Sequence, residues 1–469
     1  MAFKTFQRVL YAKLESTEGE FDEPNFRSDY IETIEPTFTI TNRTFERNPT
    51  RNSITPAVAH VAGNDTYFDD TVTPNTSPSA QVEISFTVEM AGSGTAATAP
   101  RWSRLLQACG FTEVTTLKTA TIGTVGTGTN QTNAVFLHKE NISSTAGGSS
   151  YTTGDRVGRV ISDTFRDDGA LYFVKTDATN TVTSGDVIDA EQDADVGGAS
   201  ATASSDEADS GVAWILGSGA ELGSGDSSSL SLRLAFENSN AASSNTIIDV
   251  KGCRGNVEFA FVAGDRVLMN FTFIGNMHGF LDNETLSPVA EGRAIPPAFM
   301  NVALGLGKSA FGDTTTADLT SSVFSTMNIN LNNDLVLRDG ASFTGGYDST
   351  YITGRNPQMT FDPDSYDTNG GVNLNLWERF LKGDVMRGRM TIGATSGNKF
   401  LVKFPAAQIS NIGDGNRDEV MVYDTTATLT GGDYGSSIKA DYTSTTDGDG
   451  NEIMNNRNGT NNEFVLFQL

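Results

Sequence analysis

Residues 81–90 read QVEISFTVEM, and their alternation sets the class of fold. Val82, Ile84, Phe86, Val88 and Met90 fall on one side of an extended chain, and Gln81, Glu83, Ser85, Thr87 and Glu89 on the other. A period of two with that contrast describes a strand with one buried and one wet face, as in an antiparallel sheet covered on one side. The same signal recurs in SLSLRLAF, where Leu230, Leu232, Leu234 and Phe236 align. It recurs again in a long hairpin: Val257, Phe259 and Phe261 run into the turn Gly264–Asp265, and Val267, Met269, Phe271 and Phe273 run back. Upstream, Phe38 and Ile40 alternate with threonines over Thr37–Thr41. The stretch before Pro36 mixes acidic residues with proline and reads as an arm that needs a partner surface.

A short helix is expected in APRWSRLLQACG. Pro100 suits a first turn, and Trp102, Leu105, Leu106 and Cys109 share a face at i, i+3, i+4 and i+7, with Gly110 placed to cap it. From 111 to 228 Gly, Ser, Thr and Asp crowd the chain, with strand candidates at Ala134–His138, Arg156–Ser162, Ala170–Thr176 and Gly185–Ala190. The low-complexity run ADVGGASATASSDEADSG reads as a loop or linker. The whole segment reads as an inserted, surface-borne β module.

A second round repeats the order of the first. Met327, Ile329 and Leu331 alternate, GRNPQMTFDP gives a shorter strand, and NLNLWERFLKGD gives a helix whose Trp377, Phe380 and Leu381 take the spacing of Trp102, Leu105 and Leu106. GRMTIGAT, NKFLVKFPAAQIS and DEVMVYDTTATL supply three more strands. The helix tryptophans lie 275 positions apart (377 − 102), whereas Ile247 and Phe400, like Val267 and Val420, lie 153 apart (400 − 247). The difference is close to the length of the 111–228 stretch, as one duplicated unit with an insert in its first copy requires. The expected fold is all-β, with two similar sandwich or barrel units each flanked by a short helix: 1–110 plus 229–305 with an N-terminal arm, the insert at 111–228, and 306–469.

With 469 residues, the chain is too long for a single core and long enough for two or three domains. Its surface is rich in uncharged polar residues, and the formal net charge is −26. Such a charge argues against a nucleic-acid clamp, which needs Lys and Arg to replace phosphate counterions, but not against a surface that DNA slides past. Cys109 and Cys253 are too few for a disulfide scaffold, and whether they pair is left open. The opening MAFKTFQRVLYAKLE has no continuous apolar stretch and does not read as a signal peptide, so the sequons at Asn42 and Asn141 carry no expectation. No run approaches the ~18 apolar residues of a membrane helix.

No catalytic, cofactor-binding or metal site is expected. His60, His138 and His278 are scattered, and zinc spacings are absent. ALGLGKSAF contains Gly307, Lys308 and Ser309, but the phosphate-loop pattern needs glycine where Val302 stands. DGDGNE offers Asp447, Asp449 and Asn451, yet Glu452 and Asn458 occupy the places where a calcium loop needs glycine and glutamate. The pairs Asp167–Asp168 and Asp206–Glu207 sit in polar stretches that would not raise a carboxyl pKa for acid catalysis.

Three stretches carry a resemblance. KLESTEG through TAPRWSRLLQACGF, then DVKGCRGNVEFAFVAGDRVLMNFTFIG with EGRAIPPAFMN, and then STMNINLNNDLVLRDG, GYDSTYITGRNPQMTFDP and the closing strands resemble, in that order, the major tail tube proteins of long-tailed (siphovirus-type) bacteriophages. The resemblance implies a non-enzymatic virion protein of the tail, assembled in the host cytoplasm. Its strands would join side by side into rings that stack around a tape-measure protein, with a tail terminator and distal tail or baseplate proteins at the ends. DNA would cross the lumen during ejection without specific binding, and no membrane is involved. A duplicated unit implies three chains per ring, a trimeric pseudo-hexamer. The N-terminal arm and the C-terminal NNEFVLFQL are candidates for contacts between subunits, although the last strand could equally complete its own sheet. Competing readings are a head decoration or fibre protein, a bacterial adhesin or surface-layer protein, and a hydrolase.

Overall fold

The computed structural model describes residues 8–45, 75–125, 141–145, 156–162, 169–176, 180–190, 200–216, 228–237, 245–302, 304–308, 320–343, 346–364, 376–383, 385–430, 445–446, 452–453 and 463–469. The alternating stretches become strands. From the N-terminus, β1 (Arg8–Leu14) and β2 (Tyr30–Ile31) precede the hairpin strands β3 (Ile34–Phe45) and β4 (Asn75–Glu89). Helix α1 (Ser103–Gln107) is followed by β5 (Phe111–Val125), β6 (Asn141–Thr145), β7 (Arg156–Val160), β8 (Ala170–Lys175), β9 (Val187–Ala190), β10 (Ser200–Ala203) and β11 (Ala208–Leu216). β12 (Leu230–Phe236) leads into the long hairpin β13 (Asn245–Val262) and β14 (Leu268–Glu284), turned at Gly264 with φ +83°. Then come β15 (Leu304–Lys308), β16 (Thr320–Ser322), β17 (Phe324–Asn330), β18 (Asn333–Asp339), β19 (Tyr347–Arg355) and β20 (Gln358–Pro363). Helix α2 (Leu376–Lys382), β21 (Val385–Ile392), the hairpin β22 (Phe400–Arg417) and β23 (Val420–Thr430), a short ladder of β24 (Thr445–Thr446) with β25 (Glu452–Ile453), and β26 (Phe464–Gln468) complete an all-β fold.

Strand order is the same in the two halves. The first pairs as β1–β12–β13–β14–β4–β3 and the second as β15–β21–β22–β23–β20–β17, all antiparallel. α1 follows β4 and α2 follows β20. The halves join where β17 pairs with the far end of β13, Thr326 opposite Val262 through Asn330 opposite Glu258. One apolar cluster runs through both, from Leu10, Val82 and Phe271 to Met327, Phe400 and Leu466.

Several expectations change in detail. The arm before Pro36 finds its partner surface within its own chain. β1 pairs with β12, and Leu10, Tyr11 and Ala12 are buried. The pairs matched at an offset of 153 do not share surroundings. Ile247 packs with Tyr11 and Ala235 outside the main cluster that holds Phe400, and Val420 is half exposed where Val267 is buried. Trp377 and Leu381 lie on a helix as expected, but they are 37% and 79% exposed, whereas Trp102, Leu105 and Leu106 are buried. The C-terminal strand completes its own chain's sheet, lying between β11 and β22 with Phe464–Phe467 buried.

The inserted segment contains a closed barrel. β5, β8, β7, β6, β9 and β10 pair in that order, and β10 returns to β5. Ile142, Val157, Leu171, Phe173 and Ile188 fill it together with Ala201 and Ala203. The run read as a linker therefore supplies β10 and the start of β11. Its alternating alanines fit the narrow interior, and closure leaves no free edge there. Ala134–His138 lies outside the described residues.

Candidate functional site

Eight strands form one antiparallel row, β3–β4–β14–β13–β17–β20–β23–β22. Its register lines cross the joint without a break. Val88, Met269, Phe259, Ile329, Met359, Ala427 and Ile409 stand opposite one another in turn, and all are buried. The next residues point the other way and form the line Thr87, Asn270, Glu258, Asn330, Gln358, Thr428 and Gln408. One line further on stand Glu89, Leu268, Ala260, Asn328, Thr360, Thr426 and Asn411. The period-two chemistry first seen at Gln81–Met90 thus extends from β4 to β22, with a core on one side and mostly hydroxyl and amide groups on the other.

The polar side bonds to itself. The Thr87 hydroxyl donates to Asn270 Oδ1 at 2.8 Å, Ser85 and Thr272 hydroxyls meet at 3.3 Å, and Asn256 Nδ2 donates to Asn330 Oδ1 at 2.9 Å across the joint. Neither register line contains a Lys or Arg. Arg254 and Arg417 border them and are both ion-paired: Arg254 with Glu18 at 2.8 Å, and Arg417 with Asp362 at 3.1 Å and with Asp364. Arg266 and Arg293 hold Glu89. Glu89 is thus neutralised, whereas Glu83 and Glu258 stand among neutral side chains.

Both end strands of the row lack an outer neighbour among the described residues. β3 pairs only with β4, and β22 beyond Gln408, where β21 ends, pairs only with β23. Unpaired edges are an aggregation hazard unless covered or charged. The first part of the β3 edge is blunted by Pro36, whose carbonyl accepts from Arg8 at 2.7 Å. From Thr37 to Thr41 there is no Lys, no Arg and no proline. The internal joint, by contrast, is stitched by a hairpin. β18 and β19 lean on β13, where Asn333 Nδ2 donates to the Cys109 and Gly255 carbonyls and the Arg254 guanidinium donates to the Thr350 carbonyl.

The lookalike motifs fall apart in the fold. Gly307 and Lys308 lie in β15 opposite Arg387 and Met386, so they form no phosphate loop. Glu207 binds Lys175 at 2.7 Å and accepts from the Val182 amide, and Asp206 accepts from the Ser184 amide, which makes both barrel fastenings. His278 stacks on Phe21 with ring centroids 4.3 Å apart. His60, His138, Asp167, Asp168, Asp447, Asp449 and Asn451 lie outside the described residues. Cys109 and Cys253 are separate buried thiols, and burial pushes both well above the ordinary thiol range, so they are poor nucleophiles.

One titratable constellation was missed from sequence. Glu113 accepts from the Ser103 hydroxyl and from Gln107 Nε2 at 2.9 Å, and Trp214 Nε1 donates to Ser103 Oγ at 2.7 Å. Burial raises the Glu113 carboxyl above its usual range, and the hydrogen bonds work against that rise. The cluster fastens α1 to the inserted segment. Among the described residues no helix is long and apolar enough to cross a membrane, and no group of His, Cys, Asp and Glu is placed to hold a metal ion. No protein-family model matches the chain, and no curated protein is significantly similar to it.

Proposed function

We propose that the chain is a structural subunit of a phage tail tube. It would self-associate side by side into stacked rings whose polar row lines a channel for DNA. The observation that carries this reading is the eight-stranded row, built from two halves of the same strand order, with hydroxyls and amides along one side and a free edge at each end. A wall of this kind gives a duplex few cationic sites to which phosphates could adhere, because counterion release needs unpaired Lys and Arg. The insert barrel is closed and shares no ladder with the row except through β11 and β26, which suits a projection from the wall. On this reading the tape-measure protein fills the channel before DNA does, tail terminator and distal tail proteins cap the ends, and the protein resides in the virion tail after assembly in the host cytoplasm.

Negative-stain microscopy of the purified chain at rising concentration tests the proposal. Annular particles and short stacked tubes are expected. A monodisperse monomer at all concentrations, or filaments without a central channel, would refute it.

A further inference from the structure

We infer that the two free edges are partners for each other: the β3 edge, Thr37–Thr41, of one chain pairs antiparallel with the β22 edge, Ser410–Arg417, of a second copy. The inference rests on the self-assembly proposed above and names the strands that perform it.

Strand polarity is the first argument. Every ladder in the row is antiparallel, so β3 and β22 at its two ends run in opposite senses. Placing β3 of one chain beside β22 of another continues the alternation without reversal. Two copies of β3, or of β22, could also pair about a two-fold axis, but that pairing closes a dimer and ends growth.

The second argument is what flanks each edge. Ile40 on β3 stands opposite the buried Val82, yet it is 37% exposed. The corresponding side of β17, the strand that meets β13 within the chain, has Met327 and Ile329 at 1% and 0%. Beside the β22 edge lies α2, which packs on β22 through Leu376, Ile409 and Ile412, leaves Leu381 outward, and keeps Trp377 37% exposed although its ring meets Tyr423 edge-on. α1 has no such surplus: Trp102 is buried, with its ring 4.8 Å from that of Trp214 on β11 and 6.3 Å from that of Phe400 on β22. Each free edge therefore carries an apolar margin that its paired counterpart inside the chain has covered.

The third argument is precedent within the molecule. The β13–β17 ladder shows that the far end of a long hairpin strand accepts an edge strand on the side away from its hairpin partner. The far end of β22 offers that same side, and among the described residues nothing occupies it. A contact between two different edges is heterologous, so it closes into a ring or continues as a helix.

Single-cysteine variants test the pairing. Chains carrying Thr37→Cys, Thr39→Cys or Thr41→Cys are mixed in turn with chains carrying Asn411→Cys or Gly413→Cys and mildly oxidised. Cys109 and Cys253 are buried and stay out of the reaction. A disulfide-linked pair is expected in at least one mixture and in none of the variants alone. Ile40→Lys and Leu381→Glu, both exposed positions, should each raise the concentration needed for assembly roughly tenfold or more. Tubes that form without any cross-link and are indifferent to both charges would overturn the joint and leave the tail-tube reading standing. Cross-linked chains that never form tubes would keep the joint and remove that reading. A chain that stays monomeric at every concentration overturns the joint.

Discussion

Asp249→Asn should be among the most damaging single changes of one atom type in this protein. Arg233 is 1% exposed on β12 and meets Asp249 on β13 in a two-pronged pair, Nε to Oδ1 at 2.7 Å and Nη2 to Oδ2 at 2.8 Å. Its third nitrogen, Nη1, donates to Glu23 at 3.0 Å, and its guanidinium lies 4.8 Å from the centre of the Phe26 ring. Burial works against the charge, but the bonds and charge of Asp249 and then Glu23 outweigh it and raise the arginine's pKa. The asparagine keeps the shape but supplies one acceptor in place of two and no charge. Glu23 is 71% exposed and screened, so it cannot replace the lost partner. Breaking a buried pair on one side costs about 3–5 kcal/mol, whereas replacing both partners with apolar residues is often close to neutral. Urea unfolding followed by fluorescence of the buried Trp102 and Trp214 measures both. The single variant should lose about 3 kcal/mol or more, and Arg233→Met with Asp249→Leu distinctly less. A single variant within about 1 kcal/mol of the parent, or a double variant as damaged as the single, would refute the reasoning.

Glu113 gives a pH test. Its carboxyl is raised by burial, so between the unfolded value of about 4.3 and its folded value the native state holds a proton that the unfolded chain has released. Stability from this group therefore falls as pH rises through that window, and Glu113→Gln should flatten the decline of the urea midpoint from pH 4 towards neutrality. The turn of the second long hairpin has Asp418 and Glu419 at φ +50° and +69°, where L-residues are strained. Asn-Gly at these positions should raise stability by about 1 kcal/mol, seen as a higher melting temperature. Leu466, fully buried in the strand shared by β11 and β22, should cost about 2–5 kcal/mol when cut to alanine, measured by the same urea assay.

Most of the fold was legible wherever one face of a strand is buried and the other wet. Gln81–Met90, the hairpin through Phe259 and Phe271, and the strand at Met327–Leu331 announce themselves by that contrast. β1 does not, because Leu10, Tyr11 and Ala12 are all buried and leave no period of two to read. β10 reads as linker in the sequence because a narrow barrel selects alanine inside and serine or threonine outside, a contrast too faint for hydropathy to register. The spacing of Trp377, Phe380 and Leu381 identifies a helix face but is silent on what covers it. The candidate surface was half legible. The polar line through Thr87, Glu258 and Gln358 follows from alternation, but the row and its free ends depend on pairings such as Val88 with Met269 and Phe259 with Ile329, 181 and 70 positions apart, which local pattern does not encode.

The most direct test of the account is the mass of a single assembled ring. If both halves of the chain supply four strands each to one wall and β3 meets β22 between neighbours, rings built from a duplicated unit should close with three chains of 49.9 kDa, about 150 kDa in all. Native mass spectrometry of rings released from short tubes should give that value, with three insert projections visible by electron microscopy. Rings of six full-length chains would contradict the account, because the wall of six units implied by the resemblance to tail tube proteins is already filled by the two halves of three chains.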